Sequence, residues 1–124
     1  MGFTRFDRIN EELKKVLSEI IRDMKDPRIS PLTTVMRAEA TNDLKQCRVM
    51  ISVYDRDDEA RRATVAQLNR AEGFVAREVG RRMDLRHIPT FEFRLDDSIE
   101  YSVHISEILN KLEAERKDDG NADE

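Results

Sequence analysis

The chain has 124 residues, of which 39% are hydrophobic and another 39% are charged, and it contains no tryptophan. A chain of this length typically forms one domain, so two separate cores are not expected. No apolar run approaches the roughly 20 residues that cross a bilayer, which excludes a membrane-spanning protein. The first five residues lack the apolar stretch of a secretion signal. We therefore expect a cytoplasmic protein that has no membrane partner.

Charge is distributed unevenly along the chain. Residues 61–94 carry 8 basic and 4 acidic side chains, residues 95–124 carry 3 and 10, and the whole chain has a net charge of −4. This pattern excludes a uniformly basic nucleic-acid-binding protein but leaves room for a local basic surface between Arg61 and Arg94. Residues 116–124 have almost nothing to bury, and we expect them to form a disordered acidic tail behind a domain of residues 1–115.

An amphipathic helix is predicted near the N-terminus. Its apolar residues recur at helical spacing and form one stripe: Phe6, Ile9, Leu13, Val16, Leu17, Ile20, Ile21 and Met24. Thr4 and Asp7 have the spacing of a capping box at the start of this helix. Asp26-Pro27 ends it, because the residue before a proline avoids the helical conformation.

Two strands joined by a turn are predicted next. In the first strand, alternation places these residues on one face: Leu32, Thr34, Met36, Ala38 and Ala40. In the second strand, four apolar residues alternate with more polar ones: Cys47, Val49, Ile51 and Val53. Thr41-Asn42-Asp43 supplies the turn between them. Arg37, Arg48 and Arg94 are expected on the sheet face that is open to solvent or a partner.

Two helices joined by a kink are predicted after the second strand. Residues 55–58 supply capping residues for the first helix, whose small-residue face ends at Ala71. Glycine costs about 1 kcal/mol relative to alanine inside a helix, so Gly73 in Arg70-Ala71-Glu72-Gly73-Phe74 predicts a break. The second helix is expected to bury an apolar stripe and to end at His87-Ile88-Pro89. That stripe comprises Val75, Val79 and Met83.

A third strand and a final helix complete the predicted order. Phe91, Phe93 and Leu95 alternate with polar residues in the strand, and the helix shows apolar spacing at Ile105, Ile108, Leu109 and Leu112. A crossover through two helices favours parallel pairing of the second and third strands. The prediction is an α+β domain, ordered helix-strand-strand-helix-kink-helix-strand-helix, with a three-stranded sheet covered by helices on one face.

Three segments carry a family resemblance. They are Lys25-Asp26-Pro27-Arg28-Ile29 with Thr33-Thr34-Val35, then Arg70-Ala71-Glu72-Gly73-Phe74, and then Met83 to Phe93. Together, over about residues 5–113, the chain resembles the bacterial ribosome-binding factor A family. The resemblance implies a type II KH-like fold in which Ala71-Glu72-Gly73 replaces the usual Gly-x-x-Gly loop.

The resemblance also implies a function. It indicates a non-catalytic assembly factor that binds the immature small (30S) ribosomal subunit. Such a factor acts near the 5′ region of 16S rRNA during late maturation and processing, and it matters most in the cold. The implied partners are 16S rRNA and the free small subunit, with no cofactor, and the protein is expected to be a monomer.

The candidate RNA-binding residues are the basic groups on the sheet and around the kink, together with the kink itself. They are Arg37, Arg48, Arg70, Ala71, Gly73, Arg77, Arg81 and Arg86. Helical geometry places Arg77 and Arg81 opposite the apolar stripe and Arg86 close to it. Glu72 is a departure, since a carboxylate that faces phosphates would be repelled. Either Glu72 points aside, or the kink backbone is not the main contact.

Two other classes of function are less well supported. One is a protein-binding adaptor that uses the N-terminal helix or an exposed sheet edge. The other is a small hydrolase, for which Asp97, Ser102 and His104 have suitable residue types but no visible nucleophile turn or oxyanion donors. His87 and His104 alone do not predict a zinc site. Cys47, the one cysteine, is in phase with buried strand residues and is predicted to be a small buried hydrophobe.

Overall fold

The structure, a computed structural model, describes residues 4–96 and 107–114. Its elements are α1 (Arg5–Met24), β1 (Thr33–Ala40), β2 (Gln46–Val53), α2 (Asp58–Arg70), α3 (Glu72–Arg82) and β3 (Thr90–Leu95). Residues 107–114 form a further helical segment. This order confirms the predicted α+β arrangement. Ile105 and the proposed acidic tail lie outside the described residues.

Helix α1 is defined by its caps and its apolar stripe. The backbone N–H of Asp7 donates to Thr4 Oγ1 at 3.1 Å, and the Thr4 N–H donates to the Asp7 carboxylate at 3.0 Å. The latter bond is also the main cause that lowers the pKa of Asp7. Lys25 ends the helix in the left-handed conformation, with φ 51°. Leu13 and Leu17 are fully buried, which confirms the predicted amphipathic helix.

The sheet has the strand order β1-β2-β3. β1 and β2 are antiparallel, whereas β2 and β3 are parallel, as the crossover predicted. Helix α1 packs against β1 and α3, and α2 and α3 pack against β3, so these helices cover one face of the sheet. The core between the layers includes the following strand residues: Cys47, Val49, Ile51, Val53, Phe91 and Phe93.

The predicted alternation of β1 is wrong in its first half. The pairing of β1 with β2 shifts between Val35 and Arg37, which leaves Met36 as an extra residue in a β-bulge. An extra residue reverses the two-residue phase of a strand. Val35 is therefore buried and Met36 is exposed, whereas Ala38, beyond the bulge, is buried as predicted.

The predicted end of α3 is also wrong. The helix ends at Arg82, and Met83 adopts an extended conformation with φ −124° and ψ 147°. Met83 buries its side chain in the core from this position. Arg86 and His87 consequently lie in the loop before β3, and Arg86 is exposed there rather than close to the apolar stripe of the helix.

The burial of Leu17 gives a test of the fold. Leu17→Ala should lower the free energy of unfolding by about 2–5 kcal/mol, because it removes buried methyl groups and leaves a cavity. Urea unfolding measures this change. Lys15→Ala, on the exposed side of the same helix, is the matched control and should change stability by under about 0.5 kcal/mol. Equal small losses for both variants would place α1 outside the core.

Candidate RNA interface

The predicted RNA-binding residues fall on two separate surfaces. Arg37 and Arg48 lie on the sheet face that α1, α2 and α3 leave uncovered. Arg37 lies opposite Met50 on β2, whereas Arg48 lies opposite Glu39 on β1 and Glu92 on β3. The others lie on the helical layer or after it: Arg70, Ala71, Gly73, Arg77, Arg81 and Arg86. The first group lies on the sheet and the second on the helices or the loop after them, so the two groups belong to different layers of the domain.

Acidic side chains offset the basic residues of the sheet face. The Arg37 Nε atom lies 2.8 Å from the Glu39 carboxylate. Arg48 lies in register with Glu39 on β1 and Glu92 on β3, and Glu92 also forms an ion pair with Arg94. Phosphate groups approaching this face would meet carboxylates next to each guanidinium, which weakens the attraction. The face is therefore a poor candidate for phosphate binding.

The predicted kink lies at Ala71, between α2 and α3. Ala71 has φ −89° and ψ 10°, which interrupts the helical backbone, and α3 starts at Glu72. Its N–H still donates to the carbonyl oxygens of Gln67 at 3.0 Å and Leu68 at 3.1 Å, so it closes α2. No side chain caps the N-terminus of α3. Ala71 is thus both the C-cap of α2 and the N-cap of α3, so α3 begins directly where α2 ends.

The predicted break lies at Ala71 and not at Gly73, which is a helical residue of α3. No glycine among the described residues has a positive φ, so the turn does not require the conformational freedom of glycine. A Cβ atom at position 73 would have as its nearest neighbour the Arg77 Nη1 atom, at 3.7 Å, which is an ordinary contact. The absent side chain instead lets the Arg77 guanidinium lie close to the first turn of α3.

The Glu72 side chain points toward the sheet. Its carboxylate accepts a hydrogen bond from the backbone N–H of Phe91 on β3, at 3.3 Å. Glu72 is thus turned toward the sheet and away from the outer side of the kink. Of the two possibilities, the structure supports the one in which Glu72 points aside.

Asn69 binds the same strand edge. Its side-chain oxygen accepts from the Phe93 N–H at 2.8 Å, and its side-chain nitrogen donates to the Phe93 carbonyl oxygen at 3.0 Å. Together with Glu72, it closes the outer edge of β3 with side chains from the junction of α2 and α3. This edge is therefore unavailable for pairing with a partner strand.

We define the kink ridge as the exposed residues around the start and outer side of α3: Arg70, Gly73, Phe74, Arg77 and Arg81. Val75 and Val79 are fully buried, and helical geometry places Gly73, Arg77 and Arg81 opposite them. Arg81 has a side chain that is 80% exposed and that contacts Glu78 at 3.3 Å. Arg70 and Arg77 form no ion pair with any residue in the described part of the chain.

Phe74 is a member of the kink ridge that the sequence prediction did not include among the site residues. The residue is 42% exposed. The signal available in the sequence was its helical phase, because Phe74 lies off the stripe formed by Val75 and Val79. Such a position exposes a large aromatic ring beside basic residues.

Two of the surfaces that a protein-binding adaptor could use are not exposed. The apolar stripe of α1 is buried in the core, and the β3 edge is closed, so neither is an exposed interface. The other edge strand, β1, borders a cleft of about 560 Å³ between the end of α1 and the loop of residues 25–32. α2 holds that loop, since Gln67 donates to Asp26 at 3.1 Å and Thr64 accepts from the Ser30 N–H at 3.2 Å.

The described residues offer little for catalysis. Asp97, Ser102 and His104 lie outside them. Burial raises the pKa of the Cys47 thiol to about 12, so this buried group stays protonated at neutral pH and is a poor nucleophile. Residues 4–96 and 107–114 hold no group of three His, Cys, Asp or Glu side chains that could bind a metal ion. They also contain no helix that is both long and apolar enough to span a membrane.

Helices on one face of a mixed three-stranded sheet, with a kink between α2 and α3, define a type II KH-like domain. The model of the family named Ribosome-binding factor A matches residues 5–109. A Caldicellulosiruptor bescii ribosome-binding factor A is 42% identical over 121 residues, which cover 96% of this chain and 92% of that protein. A Clostridium novyi relative of the same name is 43% identical, covering 96% and 98%. The chain belongs to the ribosome-binding factor A family.

Solved structures agree with this assignment. The crystal structure of ribosome-binding factor A from Thermus thermophilus has a TM-score of 0.66 and 25% identity, covering 77% of this chain and all of that one. The solution structure of a Thermotoga maritima protein described as a ribosome-binding factor A has a TM-score of 0.71 and 30% identity, covering 81% and 94%. A homology model of Thermus thermophilus ribosome-binding factor A was fitted into a cryo-EM map of its complex with 30S. It has a TM-score of 0.57 and 28% identity, covering 68% of this chain and 88% of that one.

The hydrogen bonds of Asn69 give a test of the closed β3 edge. Asn69→Ala should lower the free energy of unfolding by about 1–3 kcal/mol, because the N–H and carbonyl of Phe93 lose their side-chain partners. Urea unfolding measures the loss. Arg62→Ala, at an exposed position of α2, is the control and should have little effect. If the two variants had equal free energies of unfolding, water would satisfy the backbone groups of Phe93 as well as Asn69 does.

The backbone of Gly73 gives a test with a definite sign. Gly73→Ala should keep the stability or raise it by up to about 1 kcal/mol, because the residue is helical and the new methyl group has room. Ala63→Gly, at an exposed helical position of α2, makes the reverse exchange and should be destabilising. Thermal melts of both variants are compared with the parent. A lower melting temperature for Gly73→Ala would show that the kink requires glycine.

Proposed function

We propose that this protein is a non-catalytic assembly factor that binds the immature small ribosomal subunit through 16S rRNA, and that the kink ridge is its contact surface. Membership of the ribosome-binding factor A family supports the first part. The Thermus thermophilus relative, whose model was fitted into a map of a 30S complex, supports the choice of the small subunit. The ridge is proposed on physical grounds.

The observation that carries this proposal is the direction of Glu72. With its carboxylate on the Phe91 N–H, the outer side of the kink keeps Arg70 and Arg77 without a neighbouring carboxylate that pairs with them in the described residues. Small residues at positions 71 and 73 allow a phosphate to approach the backbone closely. These features suit the phosphate groups of RNA.

The finer details follow from the family resemblance and are part of the proposal. The factor acts in the cytoplasm as a monomer, without a cofactor, during late maturation and processing of the 5′ region of 16S rRNA. Its contribution is greatest in the cold. Residues 1–115 form the RNA-binding domain, and the acidic residues 116–124 serve as a solubilising extension.

The cleft beside β1 favours a second candidate function. An exposed edge strand next to a partly apolar cleft is a surface to which an extended peptide can add as a further strand. This would make the protein an adaptor for another protein, as the sequence prediction also allowed. An adaptor would bind its partner at β1 instead of the kink ridge, and its affinity would depend less on salt concentration than RNA binding does.

Arg70 and Arg77, the two arginines of the ridge without an ion pair in the described residues, provide the decisive test. Arg70→Glu combined with Arg77→Glu should weaken association with small subunits by more than about tenfold. It should also make the dependence of affinity on salt shallower, since each lost phosphate contact removes about 0.7–0.9 from the log–log slope. Sedimentation with small subunits at several salt concentrations measures both quantities.

The control for this variant is the same exchange of charge elsewhere. Arg8→Glu with Lys15→Glu changes two exposed cations of α1 and should affect binding far less. An equal loss from both double variants would mean that net charge matters and the ridge does not. Unchanged binding of the Arg70 and Arg77 variant at every salt concentration would exclude the ridge as the contact surface.

A further inference from the structure

We propose that Phe74 is a stacking platform for one unpaired base of the RNA, and that the cations of the kink ridge hold the adjoining phosphates. This inference rests on the proposed function and specifies the ligand of the same surface as a single-stranded or bulged nucleotide. The observation behind it is a phenylalanine residue on α3 that is 42% exposed.

The exposure of Phe74 is not explained by core packing. The core contacts of α3 come from Val75 and Val79, both fully buried, and the rings of Phe91 and Phe93 on β3 are almost fully buried. Phe74 points away from this core at a helical position between Gly73 and Val75. Exposing part of an aromatic ring forgoes the stabilisation that burial would supply.

The surroundings of Phe74 identify the kind of partner. Arg77 lies one turn further along the same helix, and its Nη1 atom is 3.7 Å from where a Gly73 Cβ would be. Arg70 lies directly before the kink. An apolar ring next to cations without ion-pair partners in the described residues matches a nucleotide, which has an aromatic base joined to an anionic phosphate.

The position of the ring also restricts the form of the RNA. Bases within an A-form duplex are stacked on their neighbours, so their faces are not accessible to an aromatic side chain. A phenyl ring on a helix surface can stack only on a base that has left its duplex. The proposed ligand is therefore an unpaired nucleotide of 16S rRNA, such as one in a loop, a linker or a bulge.

Three substitutions at position 74 separate stacking from general apolar contact. Phe74→Ala should weaken binding to small subunits by about 5- to 150-fold, the range implied by stacking worth about 1–3 kcal/mol per base. Phe74→Trp should retain or strengthen binding. Phe74→Leu keeps apolar volume without a ring face and should behave like Phe74→Ala. The loss should be the same at every salt concentration, because no charge is removed.

Phe74→Trp also supplies a direct reporter, because the natural chain contains no tryptophan. Its fluorescence should be quenched when small subunits are added, as the indole ring stacks on a base. Leu32→Trp, at an exposed position away from the ridge, is the matched control and should not be quenched. Thermal melts establish that the variants fold like the parent.

The outcomes separate this inference from the proposed function. If the parent protein binds subunits but Phe74→Ala binds equally well, or Phe74→Leu restores full affinity, stacking is refuted while the proposed function stands. Full restoration by leucine would instead indicate an apolar contact with a ribosomal protein. A large loss of melting temperature in Phe74→Ala would make Phe74 a packing residue. Failure of the parent to bind subunits would refute both proposals.

Discussion

The side-chain hydrogen bonds between the α2–α3 junction and the edge of β3 determine which surfaces of this domain are open to a partner. Asn69 pairs with both backbone groups of Phe93, and Glu72 accepts from Phe91. These bonds join the kink to a strand that parallel pairing holds against β2. They have two effects, since they close one edge of the sheet and turn the single carboxylate of the kink away from its outer side. The junction thus attaches the helices to β3 and leaves the basic side chains of the kink without an opposing Glu72 carboxylate.

Much of the fold was predictable because its signals are local. The Thr4 and Asp7 capping box, the apolar stripe of α1 and the alternation of β2 depend on residues close together in the chain. The bulge at Met36 was not predictable, because it appears only in the pairing with β2. The early end of α3 depends in the same way on the buried position that Met83 reaches in the core. Periodicity specifies which face is apolar, but tertiary packing decides where the phase changes.

The candidate site was predictable as a set of basic residues and not as a surface. Sequence could not show that Glu39 and Glu92 flank Arg48 on neighbouring strands, because cross-strand pairing brings residues distant in the chain together. The orientation of Glu72 depended on a hydrogen bond to a strand 19 residues away. Phe74 was present in the family motif but was not included among the candidate site residues.

A protein with a net charge of −4 can bind a polyanion because charges act locally. At physiological ionic strength the screening length is about 8 Å, so charges further from a phosphate than this contribute little. Under the proposed function, the charges next to the kink decide RNA binding, and Arg70 and Arg77 there lack ion-pair partners within residues 4–96 and 107–114. Cations alone would bind any phosphate chain, and their contribution falls as salt rises. In the proposed interaction, the exposed ring of Phe74 adds a salt-insensitive preference for unpaired bases, which would select particular positions on a structured RNA.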